Sequence, residues 1–133
     1  DGIHLRENWA TEEALKQSRK KDRSPTRIAA LLYNHAKTRA KKNRANFSLT
    51  KEFILEKIKL GICEQTGIRF QLSMPLGLYN PYAPSIDRVL NTNRDYTKEN
   101  TQIVIRAFNI LKGPLDIITM ETIMKSFLKK QKL

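Results

Sequence analysis

The chain has 133 residues, and its 25 Lys and Arg residues outnumber its 13 Asp and Glu residues to give a formal net charge of +12. This length suits a single domain, and no apolar run reaches the roughly 20 residues that a membrane span needs. A single cysteine, Cys63, excludes an intrachain disulfide and a zinc site built from several cysteines. A chain this basic indicates an acidic partner, most commonly nucleic acid. A membrane partner is not expected, because the basic helix lacks a broad aromatic or leucine face on its charged half.

Residues 1–24 are predicted to form a basic N-terminal arm, in which Thr11 can cap a short helix. The arm has too few apolar residues to make a core, so we expect it to need a partner surface to become ordered. The remainder, residues 25–133, is predicted to form one domain. It begins with a helix at Ser24-Pro25, because serine is a favoured N-cap and proline is tolerated at the first helical position.

This first helix of the domain has an apolar stripe and a basic end. The stripe consists of residues that recur at helical spacing, namely Ile28, Leu31, Leu32, His35 and Ala36. Lys and Arg dominate the exposed positions, and we predict nucleic-acid contacts there from Arg27, Lys37, Arg39, Lys41, Lys42 and Arg44. The alternative is a solvated face that only keeps the chain soluble.

A second helix and a hairpin are predicted next. Thr50 caps the helix and Gly61 ends it. A threonine-glycine turn divides residues 62–72 into two short apolar runs, which is typical of a hairpin. Residues 73–84 are rich in proline and are predicted to be a loop.

The last third of the chain alternates strands and helices. A strand, a polar loop, a second strand and a short helix are predicted at residues 84–90, 91–100, 101–105 and 106–113. An amphipathic helix follows at residues 115–131. The predicted fold is therefore α+β, a small strand-strand-helix unit at residues 84–113 that packs with several helices.

Three polar side chains of this unit have types that suit a metal site. Asp87 is predicted on the first strand, Asn100 at the start of the second, and Asn109 on the short helix. A strand and a helix that pack together can bring Asp87 and Asn109 to one place, as an incomplete set of hard oxygen ligands. Such a set suits Mg²⁺, which keeps several waters and takes further ligands from phosphate. By residue type alone, an ion pair for the aspartate and a helix cap for the asparagine remain alternatives.

The segment PSIDRVLNTNRDYTKENTQIVIRAFNILKG resembles the HNH, or ββα-metal, endonuclease family. It is most similar to a phage-type branch with Ser-x-Asp-Arg, Gly-Tyr-Thr-x-x-Asn, a Val/Ile strand and Asn-x-x-Lys-Gly. The upstream segment HAKTRAKKNRANFSLTKEFILEKIKLGICEQTGIRF also looks like that branch, so the resemblance covers residues 27–113. It implies a ββα-metal fold with Mg²⁺ or Mn²⁺, and a DNA endonuclease or nickase of phage or bacterial origin that acts in the cytoplasm.

Matched position by position, the resemblance implies a role for five residues. Asp87 and Asn109 would be the metal ligands, Asn100 would brace the loop within the catalytic site, and Lys112 would contact a phosphate. Arg88 stands where the family has its general base, a histidine. Because a guanidinium stays protonated, Arg88 would instead grip the phosphate or stabilise charge in the transition state.

The general base would then be a metal-bound hydroxide, the substrate phosphate or a histidine from elsewhere, for which His35 is the candidate. A core position for His35 is the alternative. Two other positions depart from the branch, since Asp95 replaces glycine and Leu90 replaces a frequent aspartate. Cys63 lies where zinc-bearing relatives begin a Cys-x-x-Cys pair, but Thr66 takes the second place. No structural zinc is therefore expected, and the cysteine is predicted to pack as a small apolar residue.

Two functional hypotheses follow. In the first, the chain is an HNH-type endonuclease or nickase, and its basic helix holds the DNA backbone. In the second, it is a catalytically inactive HNH-derived module that binds nucleic acid or an enzyme such as a polymerase or a terminase. An unrelated small basic domain remains the third. Duplex DNA is the expected partner, with RNA, a monomer and a dimer left open. Tyr96 is expected to anchor the core or a loop rather than to stack on bases.

Overall fold

The computed structural model describes residues 24–73 and 79–132. The predicted arm up to residue 23, and residues 74–78 of the predicted loop, lie outside these described residues. Within them the fold is α+β, with four helices and one two-stranded antiparallel sheet. In chain order the elements are α1 (Pro25–Lys42), α2 (Lys51–Leu60), β1 (Pro84–Arg88), β2 (Thr101–Ile105), α3 (Arg106–Lys112) and α4 (Ile117–Gln131). None of these helices is both long and apolar enough to cross a bilayer.

Helix α1 begins as the sequence predicts and packs through small residues. The Ser24 hydroxyl accepts a hydrogen bond from the Arg27 backbone N–H (3.3 Å), and Pro25 lies in the first turn. The residues of α1 that are fully buried are three alanines, Ala29, Ala36 and Ala40. His35 is exposed, so its predicted place in a buried stripe is wrong. The alanines of α1 lie on the face that packs against the core. Their small side chains allow α1 to approach α2 closely.

The end of α1 places Arg44 in the left-handed conformation, with a φ of 54°. The Arg44 N–H donates to the Lys41 carbonyl oxygen (3.3 Å), and the Ala45 N–H donates to the Ala40 carbonyl oxygen (2.8 Å). This is the Schellman arrangement that closes many helices, and glycine is its usual left-handed residue. An arginine at this position is therefore unfavourable for the local backbone.

Helix α2 begins and ends at the residues that the sequence predicts, and a glycine turn follows it. The Thr50 hydroxyl accepts a backbone hydrogen bond at the start of α2 (3.1 Å), and Gly61 ends the helix with a φ of 80°. In the following turn, Gly67 has a φ of 73°, and the Cys63 N–H donates to the Ile68 carbonyl oxygen (2.8 Å). The predicted hairpin is reduced to one isolated bridge between residues 62 and 69.

Strands β1 and β2 pair in a register that places Asp87 opposite Gln102. Every residue of β2 is buried. Ile103 belongs to the main core between the sheet and helices α1 and α2, and Val104 belongs to a second cluster that includes Cys63. Cys63 thus packs as a small apolar residue in this structure.

Strand β1 ends at residue 88, two residues before its predicted end. The Val89 N–H donates to the Asn100 carbonyl oxygen (2.8 Å), and the Leu90 N–H donates to the Asn100 side-chain Oδ1 (3.1 Å). A side chain thus takes the place of the next backbone partner. The ladder stops there, and residues 89–100 form the polar loop.

Helices α3 and α4 complete the described chain. Helix α3 follows β2 directly and packs against both strands. Helix α4 begins at residue 117 rather than 115, because the Asp116 carboxylate caps it by accepting a hydrogen bond from the Thr119 N–H (2.7 Å). No residue of α4 is fully buried, although Ile117 and Met120 pack against the second cluster.

Candidate functional site

A polar cleft of about 360 Å³ lies where α1, β1, the polar loop and α3 meet. Its lining includes Asp87, Arg88 and Asn109, three residues that the sequence analysis singles out. Arg39 of α1 and Tyr96 of the polar loop also line it. The fold therefore brings side chains that are far apart in the sequence to one opening.

Asp87 is almost fully buried, with 4% of its surface exposed, and both of its carboxylate oxygens accept hydrogen bonds from within the protein. Oδ1 accepts one from the Lys112 ammonium group (3.2 Å), and Oδ2 accepts one from the Gln102 side-chain amide (2.8 Å). The ion-pair alternative for this aspartate is thus present in the structure. These bonds use one lone pair on each oxygen, and the second lone pair on each can accept a further partner.

Lys112 is the fully buried counter-charge of Asp87. Its ammonium group also donates to the Arg88 carbonyl oxygen (3.0 Å). The predicted phosphate contact of Lys112 is therefore wrong, since this side chain does not reach the surface. A buried carboxylate costs several kcal/mol unless a counter-charge accompanies it, and the last turn of α3 is close enough to β1 for a lysine to supply that charge.

Gln102 holds the other side of the Asp87 carboxylate and is itself held in place. It is buried on β2, and its Oε1 accepts a hydrogen bond from the Gln65 side-chain amide (2.6 Å). Gln65 lies in the turn after α2, so hydrogen bonds run from that turn through Gln102 to Asp87. Gln102 is not among the site residues predicted from the sequence, although a single glutamine among the β-branched residues of the strand TQIVI is a signal that points to it.

Asn109 faces the cleft from α3 and is bound to β1. Its side-chain nitrogen donates to the Ser85 hydroxyl (2.9 Å) and to the Ile86 carbonyl oxygen (3.3 Å). No group of residues 24–73 and 79–132 donates a hydrogen bond to its Oδ1, which remains available as an acceptor. Asn109 is therefore not a helix cap, and it can offer a neutral oxygen ligand to the cleft.

Asn100 braces the polar loop and does not line the cleft. Its Oδ1 accepts the hydrogen bond from the Leu90 N–H, and its Nδ2 donates to the carbonyl oxygens of Asn93 and Asp95 (both 3.0 Å). All three contacts are to loop backbone. Asn100 therefore acts on the cleft indirectly, by fixing the loop that carries Tyr96.

Two arginines flank Tyr96 in the cleft. The guanidinium carbon of Arg88 lies 5.8 Å from the centroid of the Tyr96 ring, and that of Arg39 lies 6.0 Å from it. The Arg39 Nε also donates to the Tyr96 hydroxyl (3.3 Å). Neither guanidinium forms an ion pair with a carboxylate in residues 24–73 and 79–132. Two guanidinium groups at one opening favour a bound anion, and phosphate matches their planar donors.

His35 lies one turn before Arg39 on α1, but it is exposed and does not line the cleft. The described lining residues include no histidine, cysteine or glutamate. In the same part of the chain, no three or more His, Cys, Asp or Glu side chains are grouped so as to hold a metal ion. Protein ligands for a cation at the cleft are thus limited to oxygen donors such as those of Asp87 and Asn109.

The two other departures from the phage-type branch have clear places in the fold. The Asp95 carboxylate accepts hydrogen bonds from the backbone and the side-chain nitrogen of Asn46 (3.0 and 3.2 Å), which ties the polar loop to the segment after α1. Asp95 does not adopt a positive φ. Leu90 is exposed beside the loop, so no carboxylate projects from that position.

The other predicted nucleic-acid contacts of the basic helix are exposed on α1 or just after it, namely Arg27, Lys37, Lys41, Lys42 and Arg44. They make a cationic surface along α1 and its C-terminal end, and α1 also contributes Arg39 to the cleft. Comparisons with protein-family models, curated proteins and solved structures found no match to this chain.

Proposed function

We propose that the chain is a metal-dependent phosphodiesterase that acts on DNA, an endonuclease or nickase of the HNH type. The observation that supports this most strongly is that Asp87, Arg88 and Asn109 line one cleft. The strand-strand-helix order of β1, β2 and α3 is also the order of the motif that the sequence resembles. A net charge of +12 favours a polyanion as the substrate. Phage or bacterial origin and action in the cytoplasm belong to the same proposal.

The oxygen donors of the cleft fit Mg²⁺ as a partial site. Mg²⁺ usually keeps several waters and binds substrate phosphate together with one or two carboxylates. Since Lys112 already neutralises Asp87, we expect the protein alone to bind the cation weakly, and a bound phosphate to strengthen that binding. When bound, the cation would neutralise charge that develops on the phosphate and on the leaving oxygen.

The two arginines would hold and orient the phosphate. Their guanidinium donors match phosphate oxygens, and because they stay protonated neither of them accepts a proton from water. The Tyr96 ring, which both guanidinium groups approach, would keep them directed at one position. The described lining residues would thus bind and position the phosphate, and a phosphate oxygen of the substrate would take the proton of the attacking water and return it to the leaving oxygen.

Nicking of supercoiled plasmid in the presence of Mg²⁺ or Mn²⁺ tests this function. Asp87→Asn should reduce the rate by about 100-fold or more, because it removes the carboxylate charge that would hold the cation. Arg88→Ala should reduce it by a similar factor, because it removes a positive charge that would act on the reacting phosphate. Asn109→Ala should reduce the rate by about tenfold, with a higher metal concentration needed for half-maximal cutting.

Asn34→Ala is the matched control, since Asn34 is exposed on α1 and does not line the cleft. It should cut as fast as the wild type. Equal nicking by the wild type and Asp87→Asn, or nicking that persists in EDTA, would contradict the metal-dependent mechanism.

One observation favours a second function, a nucleic-acid-binding module without hydrolysis. Both oxygens of Asp87 already accept hydrogen bonds inside the protein, and Lys112 is its buried counter-charge. The cleft would then bind a phosphate through Arg39 and Arg88 and would need no divalent cation. Salt-sensitive DNA binding in EDTA, together with no nicking in either Mg²⁺ or Mn²⁺, would support this module and exclude the enzyme.

A further inference from the structure

A second pair of cations approaches an aromatic ring at a distance from the cleft. The Lys37 ammonium lies 5.7 Å from the centroid of the Tyr33 ring, and the Lys51 ammonium lies 5.4 Å from the same centroid. Tyr33 and Lys37 belong to α1, whereas Lys51 is the first residue of α2. Two helices therefore direct positive charge to one ring, as α1 and β1 do at Tyr96.

This cation pair has no counter-charge in the described part of the chain, where neither lysine forms an ion pair. An anion that binds beside the Tyr33 ring would be attracted by both lysines. Lys51 also lies in the first turn of α2, where the helix dipole disfavours a cation. Together with the left-handed Arg44, it is a basic residue that the local backbone does not favour.

Phe47 connects the two tyrosines. Its ring centroid lies 5.2 Å from that of Tyr33, with the rings at 75°, and 6.1 Å from that of Tyr96. A continuous aromatic row thus runs from the cleft to the lysine pair. Phosphates of one strand advance about 3.4 Å per nucleotide along the axis of a duplex, so the two steps of this row, which need not be collinear, span at most about three nucleotides.

We infer that Tyr33, Lys37 and Lys51 form a second phosphate subsite, which binds a phosphate one to three nucleotides from the one in the cleft on the same strand. The partner is a nucleic-acid strand rather than an acidic protein, because both cation pairs are spaced along one row that ends at a phosphate-binding cleft. This inference rests on the proposed function only in taking the Arg39 and Arg88 pair as the first phosphate position.

Binding of oligothymidylates of two to six nucleotides, followed by fluorescence anisotropy in EDTA, tests this subsite. For the wild type, affinity should rise by about tenfold at the length that first reaches the second subsite, since each phosphate bound by a lysine releases counterions. The double variant Lys37→Gln/Lys51→Gln should bind the shortest oligonucleotide as tightly as the wild type does. It should not show the tenfold rise in affinity, the length step, that the wild type shows for longer oligonucleotides.

The matched control is Lys59→Gln/Lys130→Gln, which removes the same charge from exposed positions on α2 and α4. This control variant should show the same length step in affinity as the wild type. An affinity loss in Lys37→Gln/Lys51→Gln that is equal at every length, or a gain with length that is the same in all three proteins, would overturn the second subsite. The same step with oligoglutamate would identify an acidic peptide as the partner and would also overturn it.

These outcomes are separate from those of the nicking assay, because no divalent cation is present. A length step that depends on Lys37 and Lys51, in a protein that cuts no plasmid, would keep the second subsite and remove the hydrolytic function. Nicking that depends on Asp87, without the rise in affinity with length, would support the hydrolytic function and overturn the second subsite.

Discussion

Helices α3 and α4 follow one another in the chain but are stabilised by different interactions. Helix α3 has seven residues and no side-chain cap at its start, yet it buries Phe108 and Lys112. Helix α4 has fifteen residues, the Asp116 cap and an exposed ion pair between Glu121 and Lys125 (2.8 Å), yet it fully buries no residue.

This difference shows which part of the molecule the site depends on. A seven-residue helix is too short to be stable alone, so α3 forms because its side chains bind the strands. Besides the packing of Phe108 in the second cluster, the contacts that do this are those of Asn109 with β1 and of Lys112 with Asp87. The interactions that stabilise α3 therefore include the ones that arrange the cleft. Helix α4 depends on local signals, and changes in it should leave the cleft intact.

Lys112→Met should have the largest effect on stability. It leaves the Asp87 carboxylate buried without its counter-charge, so the free energy of unfolding should fall by about 3–5 kcal/mol in urea denaturation. Lys129→Met, an exposed change at the end of α4, should alter it by less than about 0.5 kcal/mol. Mn²⁺ should restore part of the loss in Lys112→Met, because a cation at the cleft replaces the missing charge.

A second variant keeps this prediction testable if Lys112→Met does not fold. Asp87→Asn/Lys112→Met removes both charges and should therefore unfold at a higher urea concentration than Lys112→Met alone. Equal stability of the single and double variants, or equal losses in Lys112→Met and Lys129→Met, would show that the ion pair does not stabilise α3.

Gln65→Ala should have a smaller effect, and should act on the site rather than on the fold. Gln65 is exposed, but its amide holds Gln102, which in turn holds Asp87. Without it, Gln102 can rotate, and Mn²⁺ affinity measured by titration calorimetry should fall by about tenfold. The free energy of unfolding should change by less than about 0.5 kcal/mol.

Gln71→Ala is the control for this change, because Gln71 is another exposed glutamine of the same connecting segment. Its Mn²⁺ affinity should match that of the wild type. If Gln65→Ala also matches the wild type, the hydrogen bonds that run from the turn to Asp87 do not orient this ligand.

Elements with local signals could be predicted from the sequence. Ser24-Pro25, Thr50 and Gly61 mark helix ends that the structure also has, and the second strand is found at its predicted residues. These features depend on side-chain to backbone contacts within a few residues. The places of Asp87 and Asn109 in one cleft follow from the packing of adjacent elements.

The direction of long side chains could not be predicted in this way. Lys112 turns inward because it is the cation that pairs with the buried carboxylate of Asp87, 25 residues earlier, and no other cation of residues 24–73 and 79–132 does so. Arg39 reaches the cleft because α1 packs beside Tyr96, 57 residues later. Both outcomes depend on contacts between segments that are distant in the sequence, and spacing along one helix contains no information about them.

Acid pH should weaken the start of α4 and give the smallest effect. Hydrogen bonds from the backbone N–H of Thr119 and then from its side chain lower the pKa of the Asp116 carboxyl below its ordinary value. A group whose pKa is lower in the folded state stabilises that state fully above its ordinary pKa, and loses this contribution as the pH falls through the lowered value. Asp116→Asn keeps a capping oxygen that does not titrate. In NMR spectra, the helical shifts of residues 117–121 should therefore decrease more with acid in the wild type than in Asp116→Asn, because the acid titration of Glu121 is common to both proteins. Equal decreases in the two proteins would show that the charge on Asp116 contributes nothing to the cap.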